Sequence, residues 1–448
     1  MKLNKTQQLA VNTIEGPVMV VAGPGTGKTE IIARRIAKIL KTTDTSPDAI
    51  LALTFTESGA KAMRQRLVNT IGESAYYVNI STFHSFCSGV MQEFPDKFII
   101  SRDLEPLSEL ERVEIFHQIL TNGIFKLIKP INQPFYYTSE LTRSIQNLKR
   151  EGITQKEFSK ILDQETTNLQ SQDLSATALA TATKDLERNK ELLKVFIEYQ
   201  KIVSKRGRYD FEDMINLVVQ AFKEDQELLL TYQERLLYFL VDEYQDTNSS
   251  QNQVINLLAS YWGDQANIFV VGDPNQSIFR FAGASLENII GFTKTYPTAK
   301  IISLSKNYRS TQTILDSSYH LIQKNYLDKK EIKDFINPKL NSTQTTPELK
   351  INTTHLSQDV VESYWIANKV KKLIKKGVNP EEIAILYHNN QDASELSTML
   401  AKLNISFDIE GGGNILNDPT VNKLLTLLKV INNYKNNLED LDLFNLLH

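Results

Sequence analysis

The chain has 448 residues, of which 41% are hydrophobic and 23% are charged, as is ordinary for a globular protein of about three domains. Its net charge of −3 provides no general attraction to nucleic acid, so DNA binding would need a local groove. The single cysteine excludes an internal disulfide and a cysteine-clustered metal site, and no apolar run approaches the ~20 residues of a membrane span or forms a signal-peptide core. We therefore expect a cytoplasmic protein without a membrane partner.

The first informative element is a predicted strand at Val18–Val21, an apolar and largely β-branched run between Pro17 and a group of glycines. It leads into Ala22-Gly-Pro-Gly-Thr-Gly-Lys-Thr29, which has the form Ala/Gly-x4-Gly-Lys-Thr. A helix-like stretch from Glu30 to Leu40 follows. A strand, a glycine loop and a helix in this order form an anion cradle from backbone N–H groups and the helix N-terminus.

This loop predicts a nucleoside triphosphate site with Mg²⁺. Lys28 would reach the β- and γ-phosphates, and the Thr29 hydroxyl would take one Mg²⁺ position. A plain glycine turn is the alternative, but the lysine, the threonine and the strand–loop–helix context all argue against it. Ala22 stands where the strict pattern has glycine. The predicted nucleotide-binding residues of the loop are Ala22, Gly23, Pro24, Gly25, Thr26, Gly27, Lys28 and Thr29.

The spacing of the motifs predicts an insertion. Roughly two hundred residues separate Thr29 from Asp242, far more than one βαβ step requires. Residues from about Cys87 to Ser204 are rich in acids and bases, and apolar residues recur at helical spacing from Leu192 to Tyr199. We interpret this stretch as a helical subdomain that branches from the first core.

A second apolar run, Leu237–Val241, ends in Asp242 and Glu243. Asp242 would hold Mg²⁺, directly or through water, and Glu243 would polarise the attacking water. Two exposed acids at an ordinary strand end are the alternative. We favour the catalytic interpretation because a phosphate-binding loop without a metal-holding acid has no chemistry to perform.

A third run, Asn267–Gly272, opens into the polar turn Asp-Pro-Asn-Gln276. Gln276 can contact a γ-phosphate there. Phe279 and Phe281 lie just beyond it and could stack on bases, although isolated aromatic residues are more often part of a core. The loop would then combine a nucleotide sensor with a base-stacking surface.

Tyr308 and Arg309 are adjacent candidates for nucleotide binding. The Tyr308 ring can stack on a purine, and the Arg309 guanidinium offers a planar fork of donors to a phosphate. An ordinary surface ion pair is the alternative for Arg309. The pair could hold opposite ends of one nucleotide.

In their order, these motifs resemble those of the UvrD/Rep/PcrA-type superfamily 1 DNA helicases. The matching segments are Leu3–Gln7 (Q motif), Thr54–Ala60 (Ia), Ser81–Phe86 (Ib), Asp210–Ile215, Asp242–Asn248 (II), Gly272–Phe279 (III) and Asn307–Thr311 (IV). The resemblance implies an α/β P-loop NTPase with a RecA-like parallel-sheet core. It also implies an ATP-dependent DNA helicase that moves 3′ to 5′ on single-stranded DNA, takes 3′-tailed duplex DNA, and serves repair or replication.

The resemblance also implies residue roles. Gln7 would read the adenine edge, Tyr308 would stack on adenine, and Arg309 would meet the γ-phosphate. The predicted catalytic set is Lys28, Glu243, Gln276 and Arg309, and the predicted metal ligands are Thr29 and Asp242. His84 and the threonines and phenylalanine near it follow predicted strand ends, where parallel sheets place ligands. A lone histidine on a loop is more often structural, so the role of His84 in DNA binding depends on the resemblance. The predicted DNA-binding residues are Thr54, Phe55, Thr56, Thr82, His84, Phe279 and Phe281.

The predicted organisation has four parts. Residues 1–86 and 205–290 form the first RecA-like core, 87–204 the inserted helical subdomain, 291–414 the start of a second RecA-like core, and 415–448 the start of a further helical subdomain. Within the second core we predict strand, helix and strand near Ile301–Leu304, Val360–Ile374 and Ile383–Tyr387. We also expect a surface loop at Asn341–Pro347, a turn at Gly411–Gly413 and an amphipathic helix at Val421–Ile431.

Two later family motifs do not occur in the 448 residues: a Thr-x-His-x-x-Lys-Gly-Leu-Glu-like segment and an arginine-rich segment ending near Thr-Arg-Ala. In the family, an arginine from the later region completes the transition-state clamp, so we expect slow hydrolysis by this chain alone. The chain would then be the N-terminal part of a longer helicase or a split-gene product. The helicase subunit of a RecB/AddA-like helicase–nuclease and a non-motor, ATP-switched DNA-binding fragment stay open as alternatives, and protein partners are unknown.

Overall fold

A computed structural model describes residues 3–98, 105–171, 175–277, 286–326, 339–388, 390–409 and 419–433. The chain divides into two compact units after Lys350. All of the described strands lie in the first unit. Among the described helices, none is both long enough and apolar enough to cross a bilayer.

The described residues form sixteen α-helices. In chain order they are α1 (Lys5–Asn12), α2 (Lys28–Thr42), α3 (Glu57–Ile71), α4 (Phe83–Glu93), α5 (Glu109–Asn122), α6 (Thr138–Arg150), α7 (Gln155–Ser171), α8 (Ala176–Lys205), α9 (Phe211–Glu224), α10 (Gln226–Arg235), α11 (Ser249–Ala259), α12 (Leu286–Thr295), α13 (Gln312–Ile322), α14 (Asp359–Lys375), α15 (Asn390–Lys402) and α16 (Pro419–Asn433).

Ten strands are formed by the same residues. They are β1 (Val18–Ala22), β2 (Ile50–Thr54), β3 (Asn79–Thr82), β4 (Glu105–Pro106), β5 (Arg208–Tyr209), β6 (Tyr238–Val241), β7 (Ile268–Gly272), β8 (Lys300–Leu304), β9 (Lys306–Asn307) and β10 (Asn341–Ser342). Six of them make one parallel sheet in the order β3-β2-β6-β7-β1-β8. The other four form two short parallel pairs, β4 with β5 and β9 with β10.

The position of β1 between β7 and β8 brings the site together. Its residue Val20 pairs with Val271 of β7 on one side and with Ile302 of β8 on the other. Because the strands are parallel, their carboxyl ends share one edge of the sheet, and the segments that follow β1, β2, β3, β6, β7 and β8 meet along that edge. Open parallel sheets bind their ligands at this edge.

Both faces of the sheet are covered by helices, which explains why its strands are continuous apolar runs. Along β1, Val18 and Val20 face one core together with residues of α1, α2 and α3. The alternate residues Met19 and Val21 face a second core with residues of α4, α9, α10 and α11. This two-residue alternation is the normal consequence of strand geometry. Each fully buried side chain of this kind contributes about 1.5–3 kcal/mol to folding.

Helices α5, α6 and α8 share a core of their own, which includes Phe116, Ile145 and Tyr199, and α7 packs on α8 in a separate small apolar cluster. A buried ionic group joins them to α9. The Lys149 Nζ lies 2.6 Å from an Asp210 carboxylate oxygen and 2.8 Å from an Asp213 oxygen, and the Tyr199 hydroxyl donates to Asp210 at 2.9 Å. Removing one partner of such a buried pair typically costs about 3–5 kcal/mol. The group therefore attaches the helical insertion firmly to the first core.

Two segments differ from their predicted positions. Ile301–Leu304 was predicted to begin a second core, but it belongs to β8, which pairs with β1 along its whole length as the sixth strand of the first sheet. That prediction was wrong because an apolar run does not specify the sheet in which a strand pairs. At Asn341–Pro347, a surface loop was predicted, and its first two residues instead form β10.

The predicted boundary between residues 86 and 87 falls inside a helix. Helix α4 runs from Phe83 to Glu93, and its residues Phe83, Cys87 and Val90 all pack into the first core. The first core therefore continues past the predicted start of the insertion.

The second unit contains α14, α15 and α16. Ala367 and Val370 of α14 pack against Leu396 and Leu400 of α15 in a small apolar core. The helices predicted at Val360–Ile374 and Val421–Ile431 lie within α14 and α16. The strand predicted at Ile383–Tyr387 is wrong, since these described residues form no strand. The turn predicted at Gly411–Gly413 lies outside the described residues.

Candidate functional site

The loop between β1 and α2 has the geometry of a phosphate cradle. Gly25 and Gly27 have φ angles of 69° and 90°, in the left-handed region that favours glycine. A Cβ on Gly25 would lie 2.6 Å from the Arg309 Cβ and 2.8 Å from the Asn307 Nδ2, so a larger residue has no room there. Inside the loop, the Thr26 hydroxyl donates to the Gly23 carbonyl at 2.7 Å, which stabilises its curvature.

The N-terminus of α2 is open toward an anion. Gly27 is the N-cap residue and has no side chain that could satisfy the first N–H groups of the helix. These N–H groups and the positive end of the helix dipole suit a phosphate. Lys28 and Thr29 begin the helix at this point, and both side chains are half-buried. Glu30 pairs within the helix with Arg34, whose Nε lies 2.6 Å from the Glu30 Oε1.

The structure brings two of the four predicted catalytic residues into contact. The Lys28 Nζ lies 2.5 Å from the Glu243 Oε2. Glu243 follows the end of β6 and adopts a left-handed backbone with a φ angle of 48°, which is unusual for a residue with a side chain. Such a conformation costs of order 1–3 kcal/mol and persists only where the surroundings impose it. Phosphate binding by Lys28 would require this ion pair to open.

The carboxylates near Lys28 carry an excess of negative charge. Burial and the neighbouring Glu243 carboxylate raise the pKa of Asp242 to about 6. The same two causes raise the pKa of Asp246 to about 6. The Asp246 Oδ1 is buried and has no hydrogen-bond partner among the described residues. A divalent cation close by would offset this charge.

The residues present fit Mg²⁺, which prefers oxygen ligands and keeps several positions for phosphates and water. The predicted ligands are the Thr29 hydroxyl and the Asp242 carboxylate. Within the described part of the chain, no three or more His, Cys, Asp or Glu side chains are grouped so that they could hold a metal ion without other ligands.

The loop after β7 is connected to the same group of residues. The Gln276 Nε2 donates to Asp273 at 2.8 Å, and the Asp273 backbone N–H donates to the Gln245 Oε1 at 2.8 Å. Gln245 in turn donates to the Glu243 Oε2 at 2.9 Å. The predicted γ-phosphate sensor and the predicted base are therefore joined through two intermediate residues, Asp273 and Gln245.

The segment after β8 lies directly on the phosphate loop. The Tyr308 backbone N–H donates to the Gly25 carbonyl at 2.8 Å, and the Asn307 Nδ2 donates to the Pro24 carbonyl at 2.5 Å. The Asn307 Oδ1 accepts the N–H groups of Arg309 and Ser310 at 2.8 and 2.7 Å, and its side chain is completely buried. Arg309 is exposed. Asn307 thus fixes the turn that presents Tyr308 and Arg309 beside the loop.

Residues of the N-terminal Q motif also contact the segment that follows β8. The Asn4 Nδ2 donates to the Tyr308 hydroxyl at 2.9 Å, and Asn4 forms a capping box with Gln7 at the start of α1. The buried Gln7 side chain also donates to the Thr26 carbonyl at 2.9 Å. These contacts place Gln7 and Tyr308, the two residues predicted to bind adenine, on either side of Asn4 at the phosphate loop.

The predicted DNA-binding residues that are described lie at the ends of β2 and β3 or directly after them. Thr54 is buried, Phe55 is half-buried and Thr56 is exposed. Thr56 caps α3 by accepting the Gly59 N–H at 3.0 Å. Thr82 caps α4 by accepting the Ser85 N–H at 3.1 Å, and its hydroxyl donates to a Glu57 carboxylate oxygen at 3.0 Å.

His84 has a specific packing partner. Its ring stacks on Phe211 with the centroids 3.6 Å apart and an angle of 17° between the planes. Burial and the charge of Arg150 lower the pKa of His84 to about 4, so the imidazole is neutral near pH 7. Any DNA contact of His84 would therefore use stacking or a neutral hydrogen bond. Phe279 and Phe281 lie outside the described residues.

Sequence reasoning missed three residues at the site, although each belongs to a quoted motif. Asn4 could have been found from the capping-box pattern Asn-x-x-Gln. Gln245 and Asn307 carry no comparable local signal, because their partners Asp273 and Pro24 are distant in the sequence.

Comparison with known proteins places the chain in one family. Residues 3–297 match the UvrD/REP helicase N-terminal domain, and residues 302–441 match the UvrD-like helicase C-terminal domain. The second match does not confirm the expectation that the later motifs are missing.

The chain is similar to curated relatives over nearly its whole length. It is 31% identical to the ATP-dependent DNA helicase PcrA of Staphylococcus aureus over 96% of this chain and 54% of that protein. It is 32% identical to the PcrA of Staphylococcus epidermidis over the same shares. The chain thus spans about half the length of these curated relatives. With a family match that covers residues 3–297, the chain belongs to the UvrD/Rep helicase family.

Proposed function

We propose that this chain binds and hydrolyses ATP with Mg²⁺ and uses the reaction to move on single-stranded DNA. The observation that carries the proposal is the contact network around the phosphate loop. Gly25 accepts a hydrogen bond from Tyr308, and Lys28 pairs with Glu243, so segments from three distant parts of the chain meet at one loop. A simple glycine turn would not require these partners.

Hydrolysis would proceed by attack of water on the γ-phosphorus and cleavage of its bond to the β–γ bridging oxygen, so that ADP leaves with that oxygen. Glu243 would orient the water and accept its proton. Lys28, Gln276 and Arg309 would stabilise the charge that develops on the phosphoryl oxygens. Mg²⁺ at Thr29 and Asp242 would neutralise part of the phosphate charge.

Adenine would be held at the other end of the site. The Tyr308 ring is positioned from two directions, by its backbone bond to Gly25 and by the Asn4 bond to its hydroxyl. A ring held in this way can stack on a base with little loss of side-chain entropy. To form a hydrogen bond with the edge of the adenine, the Gln7 side chain would have to give up one of its present hydrogen bonds.

DNA would bind along the ends of β2 and β3, at the same edge of the sheet. Phe55 would stack on bases, and the N-termini of α3 and α4 would receive phosphates. Phe279 and Phe281, which follow the Gln276 loop in sequence, complete the proposed set. By resemblance, movement would be 3′ to 5′, on 3′-tailed duplex DNA, in repair or replication in the cytoplasm.

The deciding experiment measures ATP turnover by the 448-residue chain with and without oligothymidylate, first in single-turnover and then in steady-state conditions. We expect DNA to stimulate hydrolysis and Glu243→Gln to lower its rate by about 10²–10⁴-fold while retaining binding of a fluorescent ATP analogue. Turnover is expected to be slow, because no arginine-rich later motif occurs in these residues. Rapid turnover would contradict only the expectation that this chain hydrolyses ATP slowly.

Unwinding assays separate a motor from a switch. A translocating helicase would separate a 3′-tailed duplex in preference to a 5′-tailed one, in an ATP-dependent reaction. ATP-dependent changes in DNA affinity without strand separation would instead support a non-motor, ATP-switched binding protein. If the chain binds neither nucleotide nor DNA, the proposal is wrong.

A further inference from the structure

The Gln245 side chain bridges the ends of two neighbouring strands. It belongs to the turn that follows β6, and only 1% of it is exposed. Its Nε2 donates to the Glu243 Oε2 at 2.9 Å and to the Asp246 Oδ2 at 3.1 Å. Its Oε1 accepts the Asp273 backbone N–H, at the end of β7, at 2.8 Å. The Gln245 amide nitrogen thus binds the residues that follow β6, and the amide oxygen binds the residue that follows β7.

The end of β7 is shaped for this contact. A Cβ on Gly272 would lie 2.7 Å from the Gln245 Oε1, so the absence of a side chain there allows the close approach. The next residue, Asp273, also accepts a hydrogen bond from Gln276 at 2.8 Å. A movement of the Asp273–Gln276 loop would therefore be transmitted to Gln245.

Gln245 shares its main partner with the phosphate-loop lysine. The Glu243 Oε2 accepts from Gln245 at 2.9 Å and lies 2.5 Å from the Lys28 Nζ. If Lys28 turns toward a phosphate, the hydrogen bond from Gln245 to the Glu243 carboxylate remains. The left-handed backbone of Glu243 makes such a restraint necessary, since the conformation is not self-sustaining.

We infer that Gln245 is a positioning residue that aims the Glu243 carboxylate at the attacking water and ties its position to the loop beginning at Asp273. The inference rests on the proposed ATP hydrolysis. It assigns to a buried amide the connection between the catalytic base and the γ-phosphate sensor, Gln276. Gln245 need not touch the nucleotide for this role.

The main test is Gln245→Met, which keeps the length of the side chain and removes both polar ends. A catalytic group displaced by about 1 Å can lose about 10²-fold in rate, so we expect kcat for ATP to fall by about that factor. The KM for ATP should change by less than about threefold, because Gln245 does not contact the nucleotide. Gln251→Met is the matched control, since Gln251 is also buried but caps α11 and contacts Asn248 instead.

A double-mutant cycle distinguishes positioning from general stability. In the Glu243→Gln background, where the base is already absent, Gln245→Met should lower the remaining rate by less than about twofold. A purely structural role would give the same large loss in both backgrounds. Full additivity would therefore overturn the inference.

A second measurement does not depend on turnover. Hydrogen exchange at the Asp273 amide, in the full nucleotide-free chain, reports the bond to Gln245 directly. Loss of one hydrogen bond of ordinary strength predicts about tenfold faster exchange in Gln245→Met. Unchanged exchange there, or wild-type kcat in Gln245→Met, contradicts the inference. If the wild type shows no turnover but exchange accelerates, the ATPase proposal fails and the connection between the strands stands.

Discussion

The proposed nucleotide end and the proposed DNA end of the candidate site are built in different ways from the same sheet edge. At the nucleotide end, side chains bind to segments that are far away in sequence, as Tyr308 does with Asn4 and Lys28 with Glu243. At the DNA end, Thr56 and Thr82 mainly cap the helices that follow them. The first end depends on the tertiary fold, and the capping threonines of the second depend mainly on local helix geometry.

This difference indicates how each end can respond to its ligand. A nucleotide that draws Lys28 away from Glu243 breaks a contact between distant segments, so its effect can spread to the β6 and β7 ends. A DNA phosphate that meets an N-terminus of α3 or α4 finds donors already in place. We therefore expect substitutions at the nucleotide end to change the rate most, and those at the DNA end to change affinity and stability modestly.

The largest expected effect is that of Glu243→Gln. Removal of a general base commonly costs about 10²–10⁴-fold in rate, so kcat for ATP should fall by that range. Affinity for a fluorescent ATP analogue should be unchanged or higher, because the ion pair that competes for Lys28 is weakened. Glu73→Gln, on an exposed turn, is the control. A kcat within about threefold of wild type would remove Glu243 from the mechanism.

The second prediction concerns Tyr308. Stacking of a base on an aromatic ring is worth about 1–3 kcal/mol, so Tyr308→Ala should weaken ATP binding by about tenfold or more. Tyr308→Phe keeps the ring and loses only the bond from Asn4, and should weaken binding by about threefold. Equilibrium binding of the fluorescent analogue measures both. Equal losses in the two variants would mean that the hydroxyl, and not the ring, carries the contact.

The sheet and the phosphate loop could be predicted because their signals are local. Val18–Val21 and the Gly-Lys-Thr29 ending are recognisable from neighbouring residues alone, and the structure has a buried strand, a loop and a helix there. The insertion was predictable from spacing. Strand order was not, and for that reason Ile301–Leu304 was placed in the wrong sheet.

At the candidate site, the sequence offers groups that could carry chemistry more readily than groups that would hold them in place. Asp242 and Glu243 follow an apolar run and could be read directly. The contact between Gln245 and the Asp273 N–H exists only because β6 and β7 are neighbours in the sheet. Sequence spacing contains no information about that neighbourhood, so a positioning role for Gln245 became visible only in three dimensions.

The third prediction moves to the DNA end. Phe55→Ala should weaken binding of oligothymidylate by about fivefold to tenfold, in line with the loss of one stacked base. The slope of affinity against salt concentration should stay unchanged, because no charge is removed. Tyr76→Ala, which removes an aromatic ring that is 63% exposed on a turn, is the matched control. If both variants bind alike, Phe55 is not part of the DNA surface.

The smallest expected effect is at Thr82, whose hydroxyl oxygen accepts the Ser85 N–H and whose proton goes to Glu57. Loss of an N-cap costs about 1 kcal/mol, so Thr82→Val should lower the free energy of unfolding by about that amount, measured by denaturant titration. To contact DNA as well, the hydroxyl must donate its proton to a phosphate instead of to Glu57. Loss of that phosphate contact in Thr82→Val should weaken DNA binding by about threefold. Thr82→Ser should preserve both properties because it keeps the hydroxyl. A Thr82→Val protein that loses stability but binds DNA as tightly as wild type would assign this threonine to the helix alone, and would leave the backbone N–H groups of α4 as the phosphate contact.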